Sequence, residues 1–373
     1  MHFSEDSGST SSVLDELLQR MKMMKQHFFR CGLILALLAP TSALTPPFEA
    51  VIEADLAVWE GSTFSIALAR RVASEIGVTL FRVEQGGAIY FEAGLDHRQR
   101  QWEAFFERIL PAAAARAVHA RFPFYMLFHG WDEPVGRQNE AECNATHGKL
   151  HANLWNPHVG HVQLPFFSVT KVPGCHTDIL IPQDQVFIPE SVLPVQWADR
   201  VPKLFFRGSS TGSGKHFEHQ GTERSHRYRF VKLLRDLEDI ADVRMLDVPG
   251  HYQGERVPVS HWSRYKYILN LGGQSYGLRT ATTARTNCTL VEANIYVDLI
   301  TASIAEFEHY VRVRFDGSDV VKLLQWLRGH DFEAERMGQR LREHYERHFT
   351  DDALIDYTVA LLTRYSRAIM FEG

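Results

Sequence analysis

The hydrophobic spacing along this chain changes period repeatedly, and each change predicts an element. Residues 63–76, TFSIALARRVASEI, place apolar side chains at helical spacing. Residues 77–94, GVTLFRVEQGGAIYFEAG, alternate on both sides of Gly86-Gly87, the pattern of a β-hairpin. A second helix follows over residues 98–118, interrupted at Pro111. FPFYMLFHGWDEP (122–134) is a continuous apolar strand that stops abruptly in a polar tip, and VQLPFFSVTK and TDILIPQ are short strand-like runs.

The second half has a steadier rhythm. KLFFRG is a strand, RSHRYRFVKLLRDL a helix, VRMLDV a strand and YKYILNLGG another strand. A helical or turning segment runs to Arg285, CTLVEANI is a buried strand and YVRVRF a further strand. SDVVKLLQWLRGH is a helix, and two more helices close the chain. Strands alternating with helices at this spacing predict an α/β fold with a mostly parallel sheet covered on both faces. Ligands bind such sheets beyond the carboxyl ends of the strands. The proline-rich stretch 188–202 is the expected link between the halves, which fits a chain of 373 residues divided into two domains.

Composition adds three limits. The chain is 45% hydrophobic and carries a net charge of −5, which argues against a polycationic nucleic-acid binder. Near the N-terminus, Lys22, Lys25 and Arg30 precede the apolar run Cys31–Ala39 and the small residues Thr41-Ser42-Ala43. That order is the anatomy of a secretory signal peptide, or of an anchor if it stays uncleaved, so residues 1–45 are set apart from the fold and membrane association through this segment is open. Cys143, Cys175 and Cys288 allow at most one internal disulfide and leave a thiol over. The sequons at Asn144 and Asn287 fit exposure in the secretory pathway.

Candidate chemistry collects at the strand tips. After KLFFRG, Arg207, Gly208 and Ser209 offer a guanidinium, a close backbone approach and hydrogen-bond donors, a combination suited to an anion. The spacing from Gly208 to Gly214, and His216 after Lys215, fail the phosphate-loop pattern GxxxxGK[ST]. A second tip, LGGQSYGLR, repeats the set with Gly272, Gly273, Ser275 and Arg279. Two such tips in one sheet can hold a pyrophosphate between them. At the tip of the 122–134 strand, Trp131 offers a flat face for a sugar ring and Asp132 a carboxylate able to act as general base. Cys143, His147 and His151, with His158, His161, Cys175 and His176 nearby, lack the usual zinc spacings, so no metal site is expected.

In this order, FRVEQGGAIYFEAG, GWDEP, FFSVTKVPGCHTDILIP, LFFRGSSTG, RYKYILNLGGQSYGLR and the segment from His309 to Tyr345 resemble glycosyltransferase family 90. The likeness runs from about Val78 to the C-terminus. The resemblance implies a GT-B architecture of two Rossmann-like domains facing across a cleft. Residues 46–198 would form the acceptor side and 199–373 the nucleotide-sugar side. It further implies an inverting transferase without a metal or other cofactor, moving glucose or xylose from UDP-glucose or UDP-xylose to a hydroxyl of a protein or polysaccharide in the endoplasmic reticulum or Golgi lumen. Asp132 would be the base, and Arg207, Gly208, Ser209, Ser275 and Arg279 would hold UDP. The chain departs from the family pattern at Leu271, near Glu292 and at Asp298–Thr301, which opens a changed donor. A non-catalytic glycan- or nucleotide-binding member of the same fold and a sulfotransferase are the competing readings.

Overall fold

The computed structural model describes residues 44–95, 105–130, 134–136, 163–183, 192–210, 226–273 and 279–373. The signal-like segment falls outside the described residues, and among the described residues no helix is long and apolar enough to cross a membrane. Helix α1 (Pro46–Leu56) starts at Pro46, where a missing N–H costs nothing, and buries Phe48, Val51, Ile52 and Leu56 on one stripe. Strand β1 (Ser62–Ser65) takes the first residues of the segment expected to be wholly helical, and α2 (Ile66–Ile76) takes the rest. Ser65 caps α2 by accepting the Leu68 N–H, and Gly77 ends it at φ 70°.

Strands β2 (Thr79–Val83) and β3 (Ile89–Gly94) form the expected antiparallel hairpin, with Gly86 and Gly87 at φ 88° and 91°. The interrupted helix is present as a π-helical turn at Phe105–Ile109 running into α3 (Leu110–Arg116), the change of period falling just before Pro111. Strands β4 (Phe124–Phe128), β5 (Phe166–Ser168) and β6 (Ile179–Leu180) complete a five-stranded sheet of order β3-β2-β4-β5-β6. In it β2 is antiparallel to both neighbours, while β4, β5 and β6 run parallel.

The second half builds a parallel sheet of order β11-β10-β9-β7-β8. Its elements in chain order are β7 (Val201–Gly208), α4 (His226–Leu234), β8 (Ala241–Met245), β9 (Tyr265–Asn270), α5 (Arg279–Thr286), β10 (Thr289–Glu292), α6 (Leu299–Ser303), β11 (Tyr310–Arg312) and α7 (Val320–Gly329). Strand β8 starts two residues before the expected VRMLDV, because Ala241 and Asp242 already pair with Leu204 and Phe205.

Helices α8 (Asp331–His348) and α9 (Asp351–Ala368) and strand β12 (Ile369–Glu372) end the chain. They return to the first sheet: β12 pairs with β1, and Tyr357 and Tyr365 of α9 donate to the carbonyls of Leu180 and Tyr125, each at 2.7 Å. One core thus joins α1, α3, the first sheet and α9, and a second core fills the parallel sheet. The mixed α/β fold with parallel strands is as expected. The loops leaving the carboxyl ends of β5 and β10 are knitted together: Lys171 and Val297 exchange N–H···O bonds of 2.9 and 2.8 Å, and Thr170 Oγ1 also donates to the Val297 carbonyl.

Two sequence expectations are settled by burial. Cys175 is disulfide-bonded and Cys288 is the thiol left over, buried, with its pKa pushed up to about 11 by that burial. The Asn287 sequon is a correction. Asn287 sits in a left-handed turn at φ 58° with its Oδ1 buried, and Cys288 and Thr289 are wholly buried. A folded chain does not present that site to a glycosylating enzyme. The Asn144 sequon lies outside the described residues.

A histidine cluster joins α6, α8 and α1. The His344 ring lies 5.2 Å from His309 and 4.6 Å from His348, and His348 meets Phe48 at 5.9 Å. His344 Nε2 lies 2.9 Å from Ser303 Oγ. Burial, then the neighbouring His348 and His309, lower the His344 pKa from 6.5 to about 3. A histidine with a depressed folded pKa leaves stability complete above its unfolded value near 6.5, and stability is lost as pH falls below it. At pH 5 His344 alone should cost about 2 kcal/mol relative to pH 8. Thermal unfolding across that range should show the loss in the wild-type chain and a flatter profile in His344→Gln.

Candidate functional site

The tip of β7 is shaped by the alternation of its last residues. Phe206 faces one side of the sheet, while Phe205 and Arg207 face the other. Arg207 pairs with Asp242 at 2.8 Å, donates to the carbonyls of Phe206, Asp242 and Glu255, and lies 5.0 Å over the Phe205 ring. Its fork is therefore engaged in holding the strand end. Gly208 is required by packing: a Cβ there would stand 2.6 Å from the Phe206 ring. Just beyond, Asp247 accepts the Ser210 N–H at 2.7 Å and the Ser210 hydroxyl at 2.8 Å, fixing the start of the loop.

Two other guanidinium groups flank Phe206. Arg279, at the first position of α5, lies 4.6 Å over the Phe206 ring and 4.9 Å over that of Trp262, and its Nη2 donates to the Arg207 carbonyl at 2.8 Å. Its Nη1 is buried with no hydrogen-bond partner among the described residues. Burial, with Arg227 nearby, lowers its pKa to about 9. Arg227, in the first turn of α4, reaches the same place from the other side, 5.8 Å from the Phe206 ring. It donates to the carbonyls of Ser209 at 3.0 Å, Gly272 at 3.2 Å and Leu271 at 3.2 Å, and burial lowers its pKa to about 10. Two buried cations at the carboxyl ends of adjacent parallel strands give this tip a positive charge that can attract an anion.

The positions where the chain departs from the family pattern all have structural work. Leu271 is buried in the second core. Glu292, at the end of β10, accepts Asn270 Nδ2 at 2.9 Å and the Asn294 N–H at 2.8 Å. Burial pushes its pKa up to about 7 against the pull of Arg312. Asp298 caps α6 in a reciprocal capping box with Thr301.

Trp131, Asp132 and Ser275 lie outside the described residues. The chain on either side of Trp131 and Asp132 is held firmly. His129 continues the strand by donating its N–H to the Phe167 carbonyl at 2.9 Å. Downstream, the buried Asp178 carboxylate accepts the Val135 N–H at 2.9 Å, the Gly136 N–H at 2.6 Å and the Ser168 hydroxyl. Burial raises the Asp178 pKa to about 6 despite those bonds. Asp178→Ala would strand two buried amide N–H groups and should destabilise the fold by on the order of 3 kcal/mol or more, measured by denaturant unfolding.

Of the residues singled out from sequence, the fold brings Arg207, Gly208, Ser209 and Arg279 to one tip. Arg227, Asp247 and Asp178 were missed. The available signal was weak: Arg227 is one of two arginines beside the apolar positions Tyr228, Phe230 and Val231, and Asp178 opens the apolar run DILIP. Among the described residues no group of His, Cys, Asp or Glu is placed to hold a metal ion. Cys143, His147, His151, His158 and His161 lie outside them.

The family described as glycosyl transferase family 90 matches residues 41–373. The chain is similar to protein O-glucosyltransferase 2 of Danio rerio, 25% identical over 184 residues, covering 46% of this chain and 33% of that protein. It is also 25% identical to protein O-glucosyltransferase 1 of Rattus norvegicus over 186 residues, covering 47% and 44%. A third relative is the uncharacterized protein 035R of Invertebrate iridescent virus 3, 26% identical over 193 residues, covering 46% and 17%. The chain thus matches less than half the length of each of these relatives.

Proposed function

The chain belongs to glycosyl transferase family 90, and from that premise we propose that it moves glucose or xylose from a UDP-sugar to a hydroxyl of a protein or glycan acceptor, with inversion and without a metal. In this reading the two sheets are the Rossmann-like halves of a GT-B arrangement. Asp132 takes the proton from the attacking hydroxyl, with Trp131 against the sugar or acceptor. Arg207, Gly208, Ser209, Ser275 and Arg279 form the UDP cradle. Arg279 supplies the cation for the departing diphosphate, and Arg207 holds the tip through Asp242.

The observation that carries this reading is the buried Arg279 guanidinium, whose Nη1 has no partner among the described residues, at the carboxyl end of a parallel sheet. A diphosphate that leaves without a metal needs such a charge, aimed before the reaction begins. The names of the two O-glucosyltransferase relatives favour a glucose donor and a protein acceptor. The basic-apolar-small order of residues 22–43 favours work in the secretory lumen. Release of UDP from UDP-glucose and UDP-xylose, measured with and without EDTA, tests the proposal. Turnover undiminished by chelation is expected, and a strict need for added divalent ion would overturn the metal-free mechanism.

A further inference from the structure

The pairing of β7 with β9 ends at Phe205 and Ile268, so among the described residues no ladder joins the tips of the two strands. What crosses between them is a side chain. Arg227 donates Nη1 to the Ser209 carbonyl on one loop and Nε and Nη2 to the Leu271 and Gly272 carbonyls on the other. The peptide that follows Ser209 is gripped from both ends, since its N–H goes to Asp247 while its carbonyl goes to Arg227.

A trans peptide points its N–H opposite to its carbonyl. By taking the Leu271 and Gly272 carbonyls, Arg227 therefore turns the N–H groups of Gly272 and Gly273 to the other side of the loop. It also cancels the negative ends of carbonyl dipoles that would otherwise face an incoming anion. Gly273 is part of the same fit: a Cβ there would stand 3.0 Å from Arg227 Nη2.

We infer that Arg227 is a positioning residue of the donor site: it ties the two strand-tip loops together so that their amides and Arg279 meet a nucleoside diphosphate in one fixed geometry. This rests on the donor-site reading above. Lysine keeps the charge but lacks the planar fork that reaches three carbonyls on two loops, and Gly273→Ala keeps the arginine but crowds its Nη2, which must give by a few tenths of an ångström.

The test is calorimetric titration of UDP into the wild-type chain, Arg227→Lys and Gly273→Ala, with the melting temperature of each ligand-free protein and donor KM and kcat alongside. Arg227→Lys is expected to bind UDP tenfold or more weakly and Gly273→Ala several-fold more weakly. Donor KM should rise more than kcat falls, while the ligand-free melting temperature of Gly273→Ala stays near wild type. If Arg227→Lys fails to fold, Gly273→Ala decides. Wild-type UDP affinity in a folded Gly273→Ala, or in a folded Arg227→Lys, overturns this inference alone. A wild-type chain that does not bind UDP overturns the donor-site reading and this inference with it.

Discussion

Asp132→Asn is expected to lower the transfer rate by roughly 10²–10⁴-fold, the usual worth of a general base, while leaving UDP affinity unchanged. Asparagine keeps the size of the side chain and one accepting oxygen but cannot take up the hydroxyl proton. The described chain on both sides of this segment is anchored. On one side His129 is tied to Phe167, and on the other Val135 and Gly136 are clamped by the buried Asp178. Rates at saturating donor and acceptor, paired with UDP titration, separate loss of the base from loss of the donor site. A rate within a few-fold of wild type would remove Asp132 from the mechanism.

Arg279→Gln is the second large effect. Removing one pre-aimed stabiliser of a developing charge costs about 10²–10³-fold in rate, and kcat/KM for the donor should fall by that much. The companion expectation concerns stability. Burial has already lowered the Arg279 pKa to about 9, so holding this cation at neutral pH opposes folding. Its Nη1 recovers nothing among the described residues. Glutamine relieves that cost and forfeits the bond to the Arg207 carbonyl and the contacts over the Phe206 and Trp262 rings, so the ligand-free protein should melt near wild type. Activity lost without stability lost is the mark of a group kept for its ligand. A variant that melts well below wild type would instead make Arg279 a structural tie between β7 and α5.

Much of the architecture could be read from residue spacing. The hairpin at Gly86-Gly87, the break at Pro111 and the parallel rhythm after Val201 follow from local rules of turn, proline and period. The strands β1 and β12 did not show, because each is four residues long and exists through pairing with the other across most of the chain. Tertiary pairing of that kind leaves no local pattern. For the site, the glycines and hydroxyls of the β7 tip were visible as a break in an apolar run, and Arg279 stood at a strand-to-helix turn. The role of Arg207 was not visible, since only the register with β8 places Asp242 beside it. Arg227 was hidden for the opposite reason: on its own it is one more arginine on a basic helix, and its meaning comes from three carbonyls distant in sequence.

The central claim is that the carboxyl ends of β7 and β9, with Arg279 between them, bind the diphosphate of a uridine nucleotide. Thermal unfolding of the intact chain with saturating UDP or adenosine 3′,5′-bisphosphate tests it most directly, because a ligand at about 100 times its Kd adds roughly 2.7 kcal/mol to the folded state. UDP should raise the melting temperature of the wild-type chain and leave that of Arg279→Gln unmoved. Stabilisation by the bisphosphate with none by UDP would contradict the account.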